Sequence, residues 1–374
     1  MSLSTSEHAS ADSMLLSDSD DILRNAVRHY YSTVLSSTSD LKTSACTACK
    51  LPSIELRALM VNIPKEVLDK FYGCGNSIPL GIQGLRVLDL GCGSGRDCYI
   101  ASALVGPKGS VTGLDMTPEQ LEVGERNAVS YCTDVLQLPK SNMTFVLGQI
   151  ENLDKAGIES NSLDMIISNC VINLSPDKAR VLSEAYRVLA PGGEMHFSDV
   201  YCDRRLPAAL RTHDVLVGEC LGGALYHNDF LRLCHDVGFA DPRLLESEEI
   251  IVEDRELALL CGEARFFSMT YRLFKIPARL ETLCEDYGQV AVYHGTYPGQ
   301  PHGYELDDHH RLIANKPMLV CGNTASMLTE TWLKPHFTVH GNRNTHFGEF
   351  PCGPSAGPSG ALPPPSAKLG GACC

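Results

Sequence analysis

Two sets of residues in this chain have the type and spacing to do chemistry. The first is a glycine turn. Gly91, Gly93 and Gly95 stand in G-C-G-S-G, directly after the β-type run LRVLDL, which carries Asp89, and directly before a helical pattern. Glycines there let the backbone turn tightly and approach a ligand, and the unpaired N–H groups of the helix start favour a ligand with a negative end. The next β-type run, SVTGLDM, closes on Asp115 and Met116; Asp115 lies 24 residues after Gly91, where a carboxylate can hydrogen-bond ribose hydroxyls. Together these features predict a nucleoside site. Dinucleotide folds carry G-x-G-x-x-G, a spacing this turn does not have.

The second set is the cysteines, 16 in 374 residues. A reducing compartment gives so many thiols no general use as disulfides, so they point to metal, metalloid or redox chemistry. Cys170 ends the apolar run LDMIISNC, and strand carboxyl ends are where open α/β sheets bind ligands. Cys74 lies just upstream of the first strand, two residues after Tyr72. Cys220 stands in GECLGGAL between Glu219 and the pair Gly222-Gly223. These three thiols are expected to converge over the nucleoside ligand. Cys46 and Cys49 form a C-x-x-C that on its own reads as a redox pair or half a zinc site. Cys98, Cys132, Cys234, Cys261 and Cys284 read as small buried hydrophobes. Cys373 and Cys374 end the chain, either as a capture pair or as an exposed tail. His309 and His310, after Asp307 and Asp308, read as a solvated loop.

The elements that must position these groups alternate. LRVLDLG, SVTGLDM, MTFVLGQ, LDMIISN and GEMHFSDV read as strands; RDCYIASALVG, PEQLEVGERNAVSYC and KARVLSEAYRVL read as helices. That order predicts an α/β fold with a parallel sheet covered on both faces. The expected organisation is a disordered stretch over 1–20, a Rossmann-like ligand domain with an N-terminal helical extension over 21–202, a cysteine-bearing segment over 203–265, a smaller α+β C-terminal domain over 266–340, and a disordered Gly/Pro/Cys-rich tail over 341–374.

Lys and Arg total 31 and Asp and Glu 45, a net charge of −14, which argues against nucleic acid or an anionic membrane as the main partner. With 44% hydrophobic and 20% charged residues, most of the chain can bury a core. No apolar window reaches the roughly 18 residues of a membrane span, and the acidic opening stretch lacks the features of a targeting peptide. A cytoplasmic, monomeric enzyme is the expectation.

D-x-G-x-G-x-G followed by an acidic second strand resembles the class I methyltransferases, which place the carboxylate of S-adenosylmethionine at this turn. That resemblance implies adenine contacts from Gly148-Gln149-Ile150-Glu151, chiefly Ile150 and Glu151, and puts Asn169 under the cofactor. Position 149, often acidic in that superfamily, is Gln here. A more specific resemblance lies in DLKTSAC, FYGCG, VLDLGCGSGRDCY, SNCVINL, RTHDVLVGECLGGALY and ARFFSMTYRLFK, which are similar to the arsenite methyltransferases from about Tyr30 to Phe274 and more weakly to about residue 340. It implies that Cys170 and Cys220, with Cys74, hold trivalent arsenic, and that Cys74 and Cys46 shuttle disulfides. It implies arsenite and methylarsenite as substrates, mono- and dimethylated products, and thioredoxin or glutathione as the thiol reductant. Tyr72 is placed to pack on the sulfonium, a cation–π contact of about 0.5 to 2 kcal/mol. Two alternatives stand beside this reading: methylation of a small organic acceptor such as a sterol or quinone, and a thiol-rich protein that binds a metalloid without turnover.

Overall fold

The computed structural model describes residues 23–31 and 53–352. Its scaffold is one eight-stranded sheet of β1 (Arg86–Leu90), β2 (Ser110–Asp115), β3 (Met143–Leu147), β4 (Leu163–Asn169), β5 (Leu189–Cys202), β6 (Leu225–Tyr226), β7 (Arg243–Ile250) and β8 (Phe266–Phe274), in the order β3-β2-β1-β4-β5-β8-β7 with β6 beside β5. From β3 to β5 all neighbours are parallel. These strands are apolar because helices cover both faces: in β1 the four residues after Arg86 are buried, and in β4 all but Asp164 are. The chain winds from β1 outward to β3, then crosses to β4 on the other side of β1. Strand order therefore reverses between β1 and β4, and the crevice at their carboxyl ends is where ligands bind in such sheets.

β8 runs antiparallel to β5 along nine paired positions, from Glu194↔Phe274 to Cys202↔Phe266, and is buried throughout. Phe266–Phe274, which the sequence reading places at the start of the C-terminal region, is thus a strand of the main sheet. Nine consecutive buried residues need cover on both faces, which only the large sheet supplies.

The C-terminal module is built on Gln289–Tyr293 between Pro317–Val320 and Phe337–His340, with two small ladders and a helix, Gly322–Thr329. One ladder pairs Gly348–Glu349 with Glu285–Asp286, so part of the stretch expected to be tail belongs to this module. The module is clamped to the sheet by Arg272 of β8. Its guanidinium donates to both carboxylate oxygens of Glu194 at 2.7 and 2.9 Å and to the Tyr304 hydroxyl at 2.7 Å, and Trp332 Nε1 donates to the same carboxylate at 2.9 Å. The Asp307-His309-His310 turn is also no solvated loop. Asp307 and His310 are buried, and Arg243 Nη1 donates to Asp307 at 2.7 Å. Among the described residues no helix is long and apolar enough to cross a membrane.

Candidate functional site

A cleft of about 980 Å³, counting the open solvent at its mouth, lies at the β1/β4 crevice. Such crevices are where small-molecule ligands bind in open α/β sheets. The floor of this cleft is the glycine turn. Gly91 has φ +66, and a Cβ there would lie 2.3 Å from Val171 Cγ1, so only glycine lets the turn pack on the loop after β4. Asp115, at the end of β2, accepts from the Gly93 N–H at 2.9 Å and from the Thr117 N–H at 2.8 Å. Burial pushes its pKa up while those N–H groups pull it down. This carboxylate shapes the turn as well as facing the cavity.

Asp89, Gly91, Gly93, Asp115 and Met116 line one side of the cavity. Ile150, Glu151, Asn169, Cys170 and Tyr72 line the other, with Gln149 beside Ile150. Gly95 is not among the lining residues: it caps the helix Arg96–Val105 at φ +91 and leaves room for the Phe145 ring. Asp89 is buried, and burial with the neighbouring Asp97 charge raises its pKa well above the carboxylate range. Glu151 accepts from the Ser175 hydroxyl at 2.6 Å. The Gln149 side-chain oxygen accepts from Asn152 at 2.8 Å. Asn169 lines the cavity and also holds the Cys74 loop: its Oδ1 accepts from the Cys74 and Gly75 N–H groups at 2.9 and 3.2 Å, and its Nδ2 donates to the Gly75 carbonyl at 2.8 Å. The N-terminal helix, over 23–31, supplies further wall through Arg24, Val27 and Tyr31, and the Tyr31 ring meets Tyr72 edge-on at 5.4 Å.

Beside this cavity two of the three expected cysteines, Cys170 and Cys220, come together. Ligand atoms of Cys170, Asp199 and Cys220 lie within 4.8 Å of one another, all buried. Cys220 Sγ donates to the Cys170 carbonyl at 3.0 Å. Both cysteines have left-handed backbones, φ +62 and φ +65. Such conformations in non-glycine residues cost on the order of 1–3 kcal/mol each and collect at functional sites. Two loops, 170–173 and 220–223, are held face to face; a Cβ on Gly223 would sit 2.0 Å from the Asn173 carbonyl oxygen. Cys74 is buried in the same apolar cluster as Cys170 and Cys220, with Leu216 and Leu221, and its carbonyl accepts from Ser268 at 2.6 Å. Tyr30 donates to Glu219 at 3.1 Å and Tyr31 to the Gly218 carbonyl at 2.8 Å, so the N-terminal helix closes over the Cys220 segment. Cys46 and Cys49 lie outside the described residues, as do Cys373 and Cys374.

Asp199 was not foreseen from the sequence. It follows Ser198, which pairs with Asn169, so β4–β5 register carries it to the end of the sheet beside Cys170. Burial pushes its pKa up to about 7, against N–H donation from Val200 and Asn173 and the charge of Lys178. Lys178 is in turn pushed down to about 8 by burial. The signal is present as a lone acid in the strand run HFSDVYC. A half-ionised carboxyl beside two thiols can take a proton as a thiol becomes a thiolate.

Residues 83–238 match the family described as "Methyltransferase domain". The arsenite methyltransferase of Aquipseudomonas alcaligenes is 50% identical over 328 residues, covering 88% of this chain and 94% of that protein. The arsenite methyltransferase of Mus musculus is 42% identical, covering 86% and 84%. Among solved structures, an arsenic(III) S-adenosylmethionine methyltransferase from Chlamydomonas reinhardtii is 66% identical, with a TM-score of 0.78 over 80% of this chain and 100% of that one.

Proposed function

Because this chain belongs to the arsenite methyltransferases, we propose that it methylates trivalent arsenic with S-adenosylmethionine, holding the arsenic on Cys170 and Cys220 with Cys74 as the third thiol. The observation that carries this reading is the wall shared by the two sites. Cys170 lines the cavity floored by the glycine turn, and Val171 beside it packs on Gly91. The cavity fits the cofactor by its donor set: the start of the helix Arg96–Val105, whose first N–H groups have no helical partner, for a carboxylate, Asp115 for ribose hydroxyls, and Ile150 with Glu151 at the adenine end. S-adenosylmethionine supplies an electrophilic methyl on a sulfonium sulfur.

The chain's own residues do the rest. Soft thiolates suit a soft ion, and three of them leave its lone pair on the open face. The Cys170 loop aims that face into the cavity, and the apolar cluster around the thiols excludes water, so positioning and desolvation carry most of the catalysis. Asp199 takes protons from the thiols as they ligate and returns them to the departing hydroxides of arsenous acid. Forming an arsenic–carbon bond raises arsenic from +3 to +5. Two cysteine thiolates, Cys74 with Cys46, return the electron pair by closing a disulfide, which restores +3. Thioredoxin or glutathione then reduces that disulfide in a cytoplasmic setting, and repetition gives mono- and dimethylated products. An organic acceptor would leave the convergent thiols without a task.

Arsenic speciation by chromatography, after incubation with arsenite, S-adenosylmethionine and a thioredoxin system, tests this. Methylated arsenic from the wild type and none from Cys170→Ser or Cys220→Ser is expected. Bound but unmethylated arsenite in the wild type would return the protein to sequestration.

A further inference from the structure

A second thiol cluster lies on the C-terminal module, away from the cavity. The sulfurs of Cys284, Cys321 and Cys352 lie within 4.8 Å of one another. Three separate parts of the chain build it. The ladder Glu285–Asp286 with Gly348–Glu349 has Cys284 just before one strand and Cys352 shortly after the other, and the Phe350 N–H donates to the Cys284 carbonyl at 2.7 Å. Cys321 caps the helix Gly322–Thr329, its sulfur accepting from the Thr324 N–H at 3.4 Å. Arg243 Nη2 stands 3.9 Å from the same sulfur.

Hydrogen bonds from Cys284 and Cys352 hold the Cys321 thiol well below its ordinary pKa, with Arg243 acting in the same direction, while Cys352 is pushed up to about 12. The three sulfurs are near enough to one another to close together on a single ion. Cys321 is fully buried and its two partners are half-buried, so an incoming ion has access from the ladder side.

We infer that Cys284, Cys321 and Cys352 form a second arsenite-binding site, which holds trivalent arsenic without methylating it. Three sulfurs and no hard donor select a soft ion. Among the described residues the group contains no fourth ligand, which suits a three-coordinate pyramidal ion better than the closed tetrahedral site of structural zinc. Capture is an exchange without redox: each thiol gives its proton to one hydroxyl of As(OH)3, three As–S bonds replace three As–O bonds, and three waters leave. None of the three cysteines lines the cavity, so arsenic bound here does not face a methyl donor. The choice of ion rests on the proposed substrate; the site itself does not.

The test uses the reduced full-length protein, desalted without oxygen and titrated with arsenite. Bound arsenic and zinc are counted by mass spectrometry, and alkylation of each cysteine is mapped by peptide. In a Cys170→Ser/Cys220→Ser background, arsenite is expected to protect Cys284, Cys321 and Cys352 from alkylation, and adding Cys284→Ser and Cys352→Ser should lower bound arsenic by one equivalent. These last two substitutions are at half-buried positions and leave the helix cap intact. Arsenite that leaves the three peptides fully alkylated overturns the inference. So does one equivalent of zinc on the three thiols that arsenite fails to displace. Failure of the methylation reading is separate: the wild type would then yield no methylated arsenic while these peptides stayed protected.

Discussion

The molecule carries two thiol clusters of similar size in opposite surroundings. At the end of the main sheet, Cys170 and Cys220 have left-handed backbones, share their site with a carboxyl, and abut a large cavity. On the C-terminal module, Cys284, Cys321 and Cys352 have ordinary backbones and a guanidinium neighbour, and none of them lines that cavity. Ligand type alone therefore does not decide what a thiol cluster does. Under the proposed roles, what separates turnover from capture is whether the bound ion's open face meets a second reactant, and the left-handed backbones of Cys170 and Cys220 belong to the cluster where it would.

The largest effect that could break this contrast is on turnover. Cys220→Ser should lower methylation by on the order of 10³ or more, at least about 4 kcal/mol of barrier. Cys352→Ser should leave turnover at saturating arsenite within about twofold, as for a substitution outside the machinery. Equal losses in both variants would merge the two clusters into one pathway.

The clamp between the regions comes next. Arg272→Met leaves the Glu194 carboxylate buried without its cation and should cost about 3–5 kcal/mol in urea unfolding. Unchanged stability would mean that the module does not depend on this pair.

A smaller effect separates cofactor from arsenic. Asp115→Ala should raise the KM for S-adenosylmethionine about tenfold or more, near 1.4 kcal/mol, while arsenite protection of Cys284, Cys321 and Cys352 stays unchanged. Tyr72→Ala should raise the same KM by less.

The smallest effect is graded with pH. Burial pushes His196 and His227, on the sheet side, down to about 4. Between about 6.5 and 4 the unfolded chain binds protons that the folded one refuses, so stability falls as pH drops through that window, by at most about 1.4 kcal/mol per pH unit per histidine. On the module side, Asp307 is pushed up by burial but held down more strongly by His310 and Arg243. Its contribution is lost only below the ordinary carboxylate range. Hydrogen exchange at pH 5 should therefore loosen the sheet before the module, and His196→Gln should flatten the slope.

How much of this was legible in the sequence follows from the range of the interactions. The glycine turn and Asp115 were readable because a strand, a turn and a helix start within a few residues impose their chemistry locally. Cys170 was readable from its place at a strand end. Asp199 was not, because only β4–β5 register carries it there, and a strand buried on both faces does not reveal which residues share its end. Cys284 reads as a small hydrophobe because its partners lie far along the chain, Cys352 reaching it through a two-residue ladder and Cys321 from a helix cap. His310 read as solvated because its partner, Arg243, belongs to β7 of the other region. That Phe266–Phe274 pairs with β5 is not legible in an apolar run, because nothing in it tells which sheet will take it.

The most direct test of the contrast between the clusters is a single-turnover experiment with methyl-labelled S-adenosylmethionine and one equivalent of arsenite on reduced full-length protein. It would compare the wild type, Cys170→Ser, Cys220→Ser and Cys284→Ser/Cys352→Ser. Label on arsenic in the wild type and in the C-terminal double variant, with none in the other two, is the predicted result. Label on arsenic in Cys170→Ser or Cys220→Ser, or its loss in Cys284→Ser/Cys352→Ser, would contradict the account.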